Sequence, residues 1–274
     1  MLDLDTDPSA RAKPGPCSYG QQVPAVDQAT RVLFHLGQAP PEQANLTAIC
    51  RAAGIHYSKG HAILNTLRAA GLVTRNEASK TYSLGPAVLT LSRCLLDRTD
   101  LAQAAEPLLA ELADASGATA LLGTITADHV YVVARREAPA GIAVSIRVGH
   151  RYPLTWGAHG KAIVAHLAEA ERDKVLAAGP LHFQGDPTDL CDLGAVRQEL
   201  AEVRRLGYAV DLGAVQTGIS AVSAPLLTGR GEPAAAVILV GTFPPEDAAA
   251  LGRRVAATAR EMSQRLGPYL GGAG

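Results

Sequence analysis

Polar side chains recur at helical spacing on one face of residues 58–70, a segment whose apolar pattern predicts a helix. The polar residues here, together with the one just before, are Tyr57, Ser58, Lys59, His61, Asn65 and Arg68. A lysine donates to the acceptors of guanine, and an asparagine matches the donor–acceptor pair of adenine. Such side chains near the start of an exposed helix predict contacts to base edges in a DNA major groove.

The elements before this helix are predicted to position it. A shorter helix over 46–53 follows Asn45, a residue type that caps helix N-termini. Its apolar residues share one face, so Cys50 is interpreted as core packing rather than chemistry. Gly54 lies in the connection, where glycine accepts a positive φ at little cost. Two short helices joined by such a turn are typical of a helix-turn-helix.

A β-hairpin is predicted after the second helix, with strands at 71–73 and 81–84 around a polar turn. Arg75 and Lys80 belong to that turn, and we expect them to contact the DNA backbone, which sets register rather than sequence. Gly85-Pro86 closes the hairpin and begins a linker helix. The sequence therefore predicts a winged helix-turn-helix.

The second half of the chain alternates helices and strands without an internal repeat. Helices are predicted over 102–115, 160–168, 195–206 and 246–266, and strands over 120–126, 130–134, 142–148, 208–211, 220–227 and 234–240. Gly160 is expected to open its helix after a glycine-rich loop. Antiparallel strands flanked by helices predict an α+β sensor domain.

Charge is divided unevenly along the 274-residue chain. Residues 20–98 carry eight Lys and Arg against four Asp and Glu, whereas residues 99–274 carry fifteen against nineteen. A basic part joined to an acidic part predicts an anionic partner for the first. A first helix is expected over 23–36, with Gly37 as its stop. The expected organisation is a flexible tail at 1–21, a winged helix-turn-helix domain at 22–85, a linker helix at 86–99 and a second domain at 100–270.

Cysteine usage and hydropathy bear on the compartment. The four cysteines form no C-x-x-C pair, which fits a reducing environment. No apolar run approaches the roughly 20 residues of a membrane helix, and the first residues lack the apolar segment of a secretory signal. We expect a cytoplasmic protein without a membrane partner.

The order and wording of several motifs resemble the IclR family of bacterial regulators over roughly residues 22–270. The motifs are LTAICRAAGI (46–55), LRAAGLV (67–73), YSLGPAVLTL (82–91), AEPLLAEL (105–112), VGHRYPLTWGAHGKAI (148–163), EVRRLGYAVD (202–211) and GISAVSAPLL (218–227). The resemblance implies a winged helix-turn-helix, a linker helix and an α/β effector-binding domain similar to GAF and PAS sensors. It also implies double-stranded operator DNA and a small-molecule effector as partners, and self-association as a homodimer or a dimer of dimers.

The resemblance further implies an effector pocket between the loop at 154–160, the helix after it and the facing strands. The matching positions are Leu154, Trp156, Gly157, Ala158, Asp211, Ile219, Ala221, Ile238 and Val240. Ala221, Ile238 and Val240 are apolar where members that bind small keto acids offer hydroxyls or thiols. Because an apolar lining leaves a buried charge without hydrogen bonds, we expect a larger effector, aromatic or weakly polar, with Trp156 either stacked on it or part of the core.

The first domain departs from the family pattern at two positions. Many members have a Lys where Tyr57 stands and an Arg where Ala62 stands. Two fewer cations on this helix predict fewer phosphate contacts and a weaker salt dependence. The alternative for this domain is a winged-helix module that binds another protein and has no specific DNA site.

An enzyme is the alternative for the second domain. Gly160-Lys161 lacks the frame of a phosphate-binding loop, and neither G-x-S-x-G nor H-E-x-x-H occurs. One branch of the family suggests a metal, which here would use His159 and His182 with Cys191 or Asp211. These residues have no ligand spacing, so we expect no catalytic residue, no metal and no cofactor.

Overall fold

The computed structural model describes residues 23–40, 43–96, 100–126, 128–138, 146–178, 181–183 and 192–270, with the backbone alone at 93–96, 100, 268 and 269. The chain divides into two compact units, with the boundary between residues 99 and 100. The expected tail at 1–21 and the predicted strand residues 142–145 lie outside the described residues.

The first unit is a winged helix-turn-helix, as predicted. Its elements are α1 (Pro24–Gln38), α2 (Leu46–Ala53), α3 (Tyr57–Ala69), β1 (Val73–Arg75), β2 (Tyr82–Leu84) and α4 (Ala87–Leu96). β1 and β2 pair antiparallel and form the wing. Buried apolar side chains from the helices and the wing, among them Val32, Ile49, Leu64 and Tyr82, form one core.

The helix-turn-helix follows local sequence signals closely. Asn45 caps α2, because its side-chain oxygen accepts a hydrogen bond from the Ala48 amide at 2.9 Å. Gly54 ends α2 with a φ of 66°, in the left-handed region that favours glycine. α1 instead continues through its predicted stop at Gly37. It ends because Pro40 holds Ala39 in extended backbone, with ψ at 137°.

The second unit is an α+β domain built on one antiparallel sheet, which confirms the predicted class. Its elements are α5 (Asp100–Ser116), β3 (Thr119–Thr126), β4 (His129–Arg136), β5 (Arg151–Pro153), α6 (Gly157–Val164), α7 (Glu169–Ala177), α8 (Leu193–Leu206), β6 (Ala209–Leu212), β7 (Ser220–Leu227), β8 (Pro233–Gly241) and α9 (Ala248–Leu270), with a 3-10 turn at Pro245–Asp247. The strand order is β5-β4-β3-β8-β7-β6.

The two faces of the sheet bury separate cores, because side chains alternate along each strand. Leu122 and Leu239 point towards α5 and α9 and pack with Leu109. Leu121 and Ile238 point towards α6 and α8 and pack in a second cluster. We call this second side the α6 face. α6 lies across β6, β7 and β8 there.

The structure differs from the prediction at three elements of this unit. Residues 146–148, the described end of the predicted strand 142–148, are not a strand, and the third strand is β5. β5 is a three-residue edge strand that pairs with His129–Tyr131, too short for an alternating pattern. α7 was not predicted, since only Leu176 of its nine residues is buried. α6 begins at Gly157, three residues before Gly160.

Gly160 has a packing role inside α6. A Cβ at this position would lie 2.5 Å from the Leu154 carbonyl oxygen and 2.9 Å from the Thr155 carbonyl carbon. The loop before α6 therefore returns so closely over the helix that only glycine fits.

No helix in the described part of the chain is both long enough and apolar enough to cross a membrane.

Candidate functional site

The polar face of α3 is exposed. The buried residues of α3 are Gly60, Ile63, Leu64 and Leu67, on the opposite face. The six α3 residues predicted to contact DNA are all exposed on the other side of the helix: Tyr57, Ser58, Lys59, His61, Asn65 and Arg68. Asn65 Nδ2 lies 3.2 Å from His61 Nδ1, so these two candidate base contacts form a pair. Tyr57 is the first residue of the helix, and 58% of its surface is exposed.

A close approach to α2 fixes the position of α3. A Cβ at Gly60 would lie 2.3 Å from the Cys50 sulfur. Cys50 is 7% exposed, and burial raises the pKa of its thiol. A protonated, buried thiol is a packing group, as its position on the apolar face of α2 predicts.

The wing brings three of the predicted DNA-contact cations to one carboxylate. Arg68 Nη2 lies 3.6 Å from Glu77, and both Arg75 Nη1 and Lys80 Nζ lie 3.4 Å from it. The Arg75 guanidinium also lies 5.7 Å from the centre of the Tyr82 ring. Glu77 was not singled out from the sequence, because Arg68 is nine residues away on another element.

A groove of about 690 Å³ lies between the start of α2, the start of α3 and the wing. Arg75, Lys80, Tyr57 and His61 line it, together with Asn45, Leu46, Thr47, Ala48, Arg51 and Tyr82. Arg51 adds a third cation, and Thr47 adds a hydroxyl beside the first amides of α2. Cations beside a helix N-terminus suit a phosphate group. Sequence reasoning missed Thr47 and Arg51, although Arg51 is exposed on α2.

The structure gathers the nine predicted effector residues around α6 and the strands beneath it. Five of them are buried in the α6-face cluster: Leu154, Ala158, Ile219, Ile238 and Val240. Ala221 lies at its edge. Gly157 begins α6, and a Cβ there would lie 3.5 Å from Asp211 Oδ2. Asp211, Ala221 and Val240 are register partners on successive strands.

Trp156 lies at the rim of this cluster, half-buried. Its ring stacks on His182, with 5.6 Å between centroids and 28° between planes. The backbones of these two residues also form an isolated parallel bridge. Trp156 is therefore neither fully in the core nor free in solvent.

Buried polar side chains single out the α6 face. Among the described residues they are Thr119, His159, Lys161, Asp211 and Ser223. His159 and Lys161 belong to α6. Thr119, Asp211 and Ser223 alternate along their strands with residues of the opposite core, and so point towards α6. Only Asp211 had been predicted as a site residue. The apolar positions Ala221, Ile238 and Val240 thus have polar neighbours that the sequence did not reveal.

His159 has an unused hydrogen-bonding atom. Burial lowers the pKa of its imidazole to about 4, against a hydrogen bond to the Pro153 backbone that raises it. The ring is therefore neutral near pH 7. Its Nε2 is buried and has no hydrogen-bond partner among the described residues. Its ring centre lies 5.3 Å from that of Tyr152.

The two charged side chains among the five buried polar residues, Lys161 and Asp211, each have a partner within the protein. Lys161 Nζ lies 2.7 Å from Glu199 Oε1. Asp211 Oδ1 accepts a hydrogen bond from the Ala214 amide at 2.8 Å. Burial raises the pKa of Asp211, while this hydrogen bond and the charge of Lys161 lower it. Lys161 and Asp211 thus have their partners within the protein, whereas among the five buried polar side chains it is His159 that has a buried atom without a partner in the described residues.

The described residues contain no group of three or more His, Cys, Asp or Glu that could hold a metal ion. Cys191, one of the ligands considered from the sequence, lies outside them.

Comparison with known proteins finds a matching family model for each unit. The C-terminal model of the bacterial transcriptional regulator IclR matches residues 94–264, and the IclR helix-turn-helix model matches residues 25–77. The HTH-type transcriptional regulator BhcR of Paracoccus denitrificans is 29% identical over 249 residues, which cover 90% of this chain and 88% of that protein.

Solved structures agree with this assignment. The crystal structure of an IclR transcriptional regulator from Alicyclobacillus acidocaldarius matches with a TM-score of 0.75 at 28% identity, covering 89% of this chain and 99% of that one. An IclR homolog from Microbacterium hydrocarbonoxydans, crystallised with 4-hydroxybenzoate, shares the fold with a TM-score of 0.67 at 20% identity, covering 88% and 99%. A family model that spans more than half of the chain, with a fold and regulator relatives to match, shows that the chain belongs to the IclR family of bacterial transcriptional regulators.

Proposed function

We propose that this regulator binds double-stranded operator DNA through α3 and the wing, and that a small molecule bound on the α6 face controls its DNA affinity. The observation that carries the DNA part is the exposed polar face of α3 beside a groove lined by Arg51, Arg75 and Lys80. A helix that presents polar side chains beside a cationic groove has the two parts that operator binding requires, base contacts and phosphate contacts.

The two kinds of contact fall on different residues. Lys59 and the Asn65–His61 pair are assigned to base edges, where a good contact contributes about 1–3 kcal/mol of discrimination. Arg75, Lys80 and Arg51 are assigned to phosphates, where each contact adds to affinity on any sequence. Tyr57 and Ala62 leave α3 with few cations, so the groove supplies the larger share of the electrostatic attraction.

Fluorescence anisotropy with duplexes from upstream of the protein's own gene tests the DNA part. Arg75→Ala should weaken binding to all duplexes alike and reduce the salt slope by about 1. Asn65→Ala should reduce the difference in affinity between specific and scrambled duplexes. Arg230→Ala, an exposed arginine of the second unit, is the matched control and should bind as wild type does. If Arg75→Ala and Arg230→Ala behave alike, the wing has no phosphate contact, and the protein-binding module is the better account.

We propose an effector with an apolar or aromatic body and one hydroxyl group. The lining supports the body, since Leu154, Ile219 and Val240 are buried and apolar. The unpartnered Nε2 of His159 supports the hydroxyl, because a neutral imidazole nitrogen accepts a hydrogen bond from an O–H group. An unpaired buried acceptor is costly, and a ligand that pairs it gains that energy.

The single tryptophan of the chain makes the effector part directly measurable. Trp156 lies at the rim of the proposed site, so ligand titrations can be followed by its fluorescence. Phenol, which carries a ring and one hydroxyl, is the first probe. 4-Hydroxybenzoate adds a carboxylate to the same ring, and pyruvate is the keto-acid comparison. His159→Phe keeps an aromatic ring, removes the acceptor and should weaken binding of the aromatic probe about tenfold. Tighter binding of pyruvate than of every aromatic probe would contradict the proposal.

We also propose that the protein self-associates as a homodimer or a dimer of dimers. Leu89 and Leu91 of α4 are 71% and 66% exposed, and Val26 of α1 is 63% exposed. Large apolar side chains left exposed on these two helices support an interface with a second copy of the chain. Light scattering of the full chain measures the state, and a monomer at micromolar concentration would contradict the proposal.

A further inference from the structure

We infer that Glu77 is a built-in competitor for DNA phosphate, which sets how strongly the wing and α3 attract a duplex. The inference rests on the proposed function, in which Arg68, Arg75 and Lys80 face DNA. To the residues that promote DNA binding it adds Glu77, a residue that weakens it. It also identifies phosphate as the group with which the Glu77 carboxylate competes.

The geometry of the cluster is that of three cations around one anion. Arg68 comes from α3, Arg75 from β1 and Lys80 from the wing turn, and each has a side-chain nitrogen 3.4–3.6 Å from the Glu77 carboxylate. Among the described residues, no other carboxylate forms an ion pair with any of the three. A phosphate that bridges α3 and the wing would need the same position, because it carries the same charge and pairs with the same donors.

The carboxylate is held in place by an ordered turn. Asn76 Oδ1 accepts hydrogen bonds from the amides of Ala78 at 2.9 Å and Ser79 at 3.1 Å. The Asn76 amide donates to the Thr81 carbonyl at 2.8 Å. Lys80 has a φ of 58°, a left-handed conformation that non-glycine residues adopt rarely. The turn therefore directs Glu77 and Lys80 to one point through its own hydrogen bonds.

Three observations indicate that Glu77 can be displaced. Its side chain is 61% exposed, so a duplex can reach the carboxylate. The contacts are long for ion pairs, and exposed pairs of this kind contribute about 0–1 kcal/mol each. In addition, the Arg75 Nε is buried and has no hydrogen-bond partner among the described residues, so Glu77 leaves this guanidinium with an unused donor.

The consequence is a lower charge at the contact surface. With Glu77 ionised, the four side chains carry a net charge of +2 rather than +3. A phosphate that approaches must displace the carboxylate or share the cations with it. Removing the negative charge should therefore increase affinity most at low salt, where electrostatic attraction is least screened.

Glu77→Gln tests this, with the full chain titrated against its operator duplex by anisotropy from low to high salt. Affinity should rise about threefold to tenfold at low salt, the gain should shrink as salt rises, and the salt slope should steepen by about 1. Glu202→Gln is the matched control. It removes one charge from a carboxylate that pairs with Arg205 in the second unit and should leave DNA affinity unchanged.

Glu77→Ala is measured in parallel. Competition predicts a gain for both replacements, whereas a purely structural role predicts weaker binding for both, with the shorter side chain weaker than the amide. Hydrogen exchange over residues 73–84 shows whether the wing keeps its fold. If the wild type binds in a salt-dependent way and neither variant binds more tightly, the inference is overturned and the proposed function stands. If the wild type binds no duplex at low salt, the proposed function fails, and the inference fails with it.

Discussion

Replacing Gly60 by alanine should loosen the helix-turn-helix, although alanine is the better helix former. The added Cβ would lie 2.3 Å from the Cys50 sulfur, 3.4 Å from the Ile55 side chain and 3.6 Å from that of Leu46. Only the contact with Cys50 is shorter than van der Waals distance. To accommodate the methyl group, the sulfur must withdraw by at least about 1 Å within a packed core.

The expected magnitude follows from two opposing effects. Overpacking a core by one methyl group costs about 1–3 kcal/mol. Exchanging glycine for alanine inside a helix stabilises it by about 1 kcal/mol. The net loss for Gly60→Ala should then be up to about 2 kcal/mol. Cys50→Ala removes the obstructing sulfur, so the double variant should recover most of that loss, with a favourable coupling of about 1–3 kcal/mol.

Hydrogen exchange followed by mass spectrometry suits this test, because it resolves peptides of α2 and α3 from those of the second unit. The protection of residues 46–69 in the two single variants, the double variant and the wild type closes a double-mutant cycle. Exchange in α9 serves as the internal control and should not change. Additive effects of Gly60→Ala and Cys50→Ala, without coupling, would refute the reasoning that the two atoms compete for one space.

Three further results are expected. Gly160→Ala should destabilise the second unit by about 2 kcal/mol or more, because its Cβ meets backbone atoms that cannot withdraw as a side chain can. The same change at Gly267 in α9, where nothing lies within 4 Å, should instead stabilise the unit by up to about 1 kcal/mol. Urea unfolding that ranks the two variants the other way would contradict the packing argument. The pKa of His159 is about 4 in the fold and near 6.5 when unfolded, so the unfolded chain takes up a proton first. The contribution of the neutral ring to stability is then fully present above about pH 6.5 and is lost as the pH falls towards 4, by up to about 3 kcal/mol. His159→Phe should flatten this dependence, and parallel wild-type and variant curves of unfolding free energy against pH would disagree with a buried neutral ring. Asn45→Ala removes the cap on α2 and should cost about 1 kcal/mol, visible as faster exchange at residues 46–50; unchanged exchange would show that the cap contributes nothing.

The features predicted best from the sequence are those that neighbouring residues determine. Asn45 and Gly54 mark both ends of α2, and each acts within one turn of the helix, so the predicted and observed limits agree. Gly37 misled because the next strong signal, Pro40, ends the helix instead. β5 and α7 carry too few buried residues to produce a period.

The site was harder to predict than the fold, because its parts meet through sheet register. Thr119 is the partner of Val240, and Ser223 is the partner of Ile238. These two hydroxyl residues therefore adjoin the apolar positions that suggested a weakly polar pocket. No sequence pattern near Ile238 or Val240 indicates that Thr119 and Ser223 lie beside these positions. The position of Glu77 beside Arg68 likewise depends on how the wing folds back on α3.

The most direct test of the central claim is a pair of titrations that measure linkage between the two sites. In the first, the affinity for the operator duplex is measured without and with a ligand that changes Trp156 fluorescence. In the second, the affinity for that ligand is measured without and with the duplex. An effector that controls DNA binding must change both affinities by the same factor, which we expect to be about fivefold or more. If a ligand saturates the α6 face and leaves operator affinity unchanged, that ligand does not control DNA binding. If this holds for every ligand that binds there, the claim that the second unit regulates the first is contradicted.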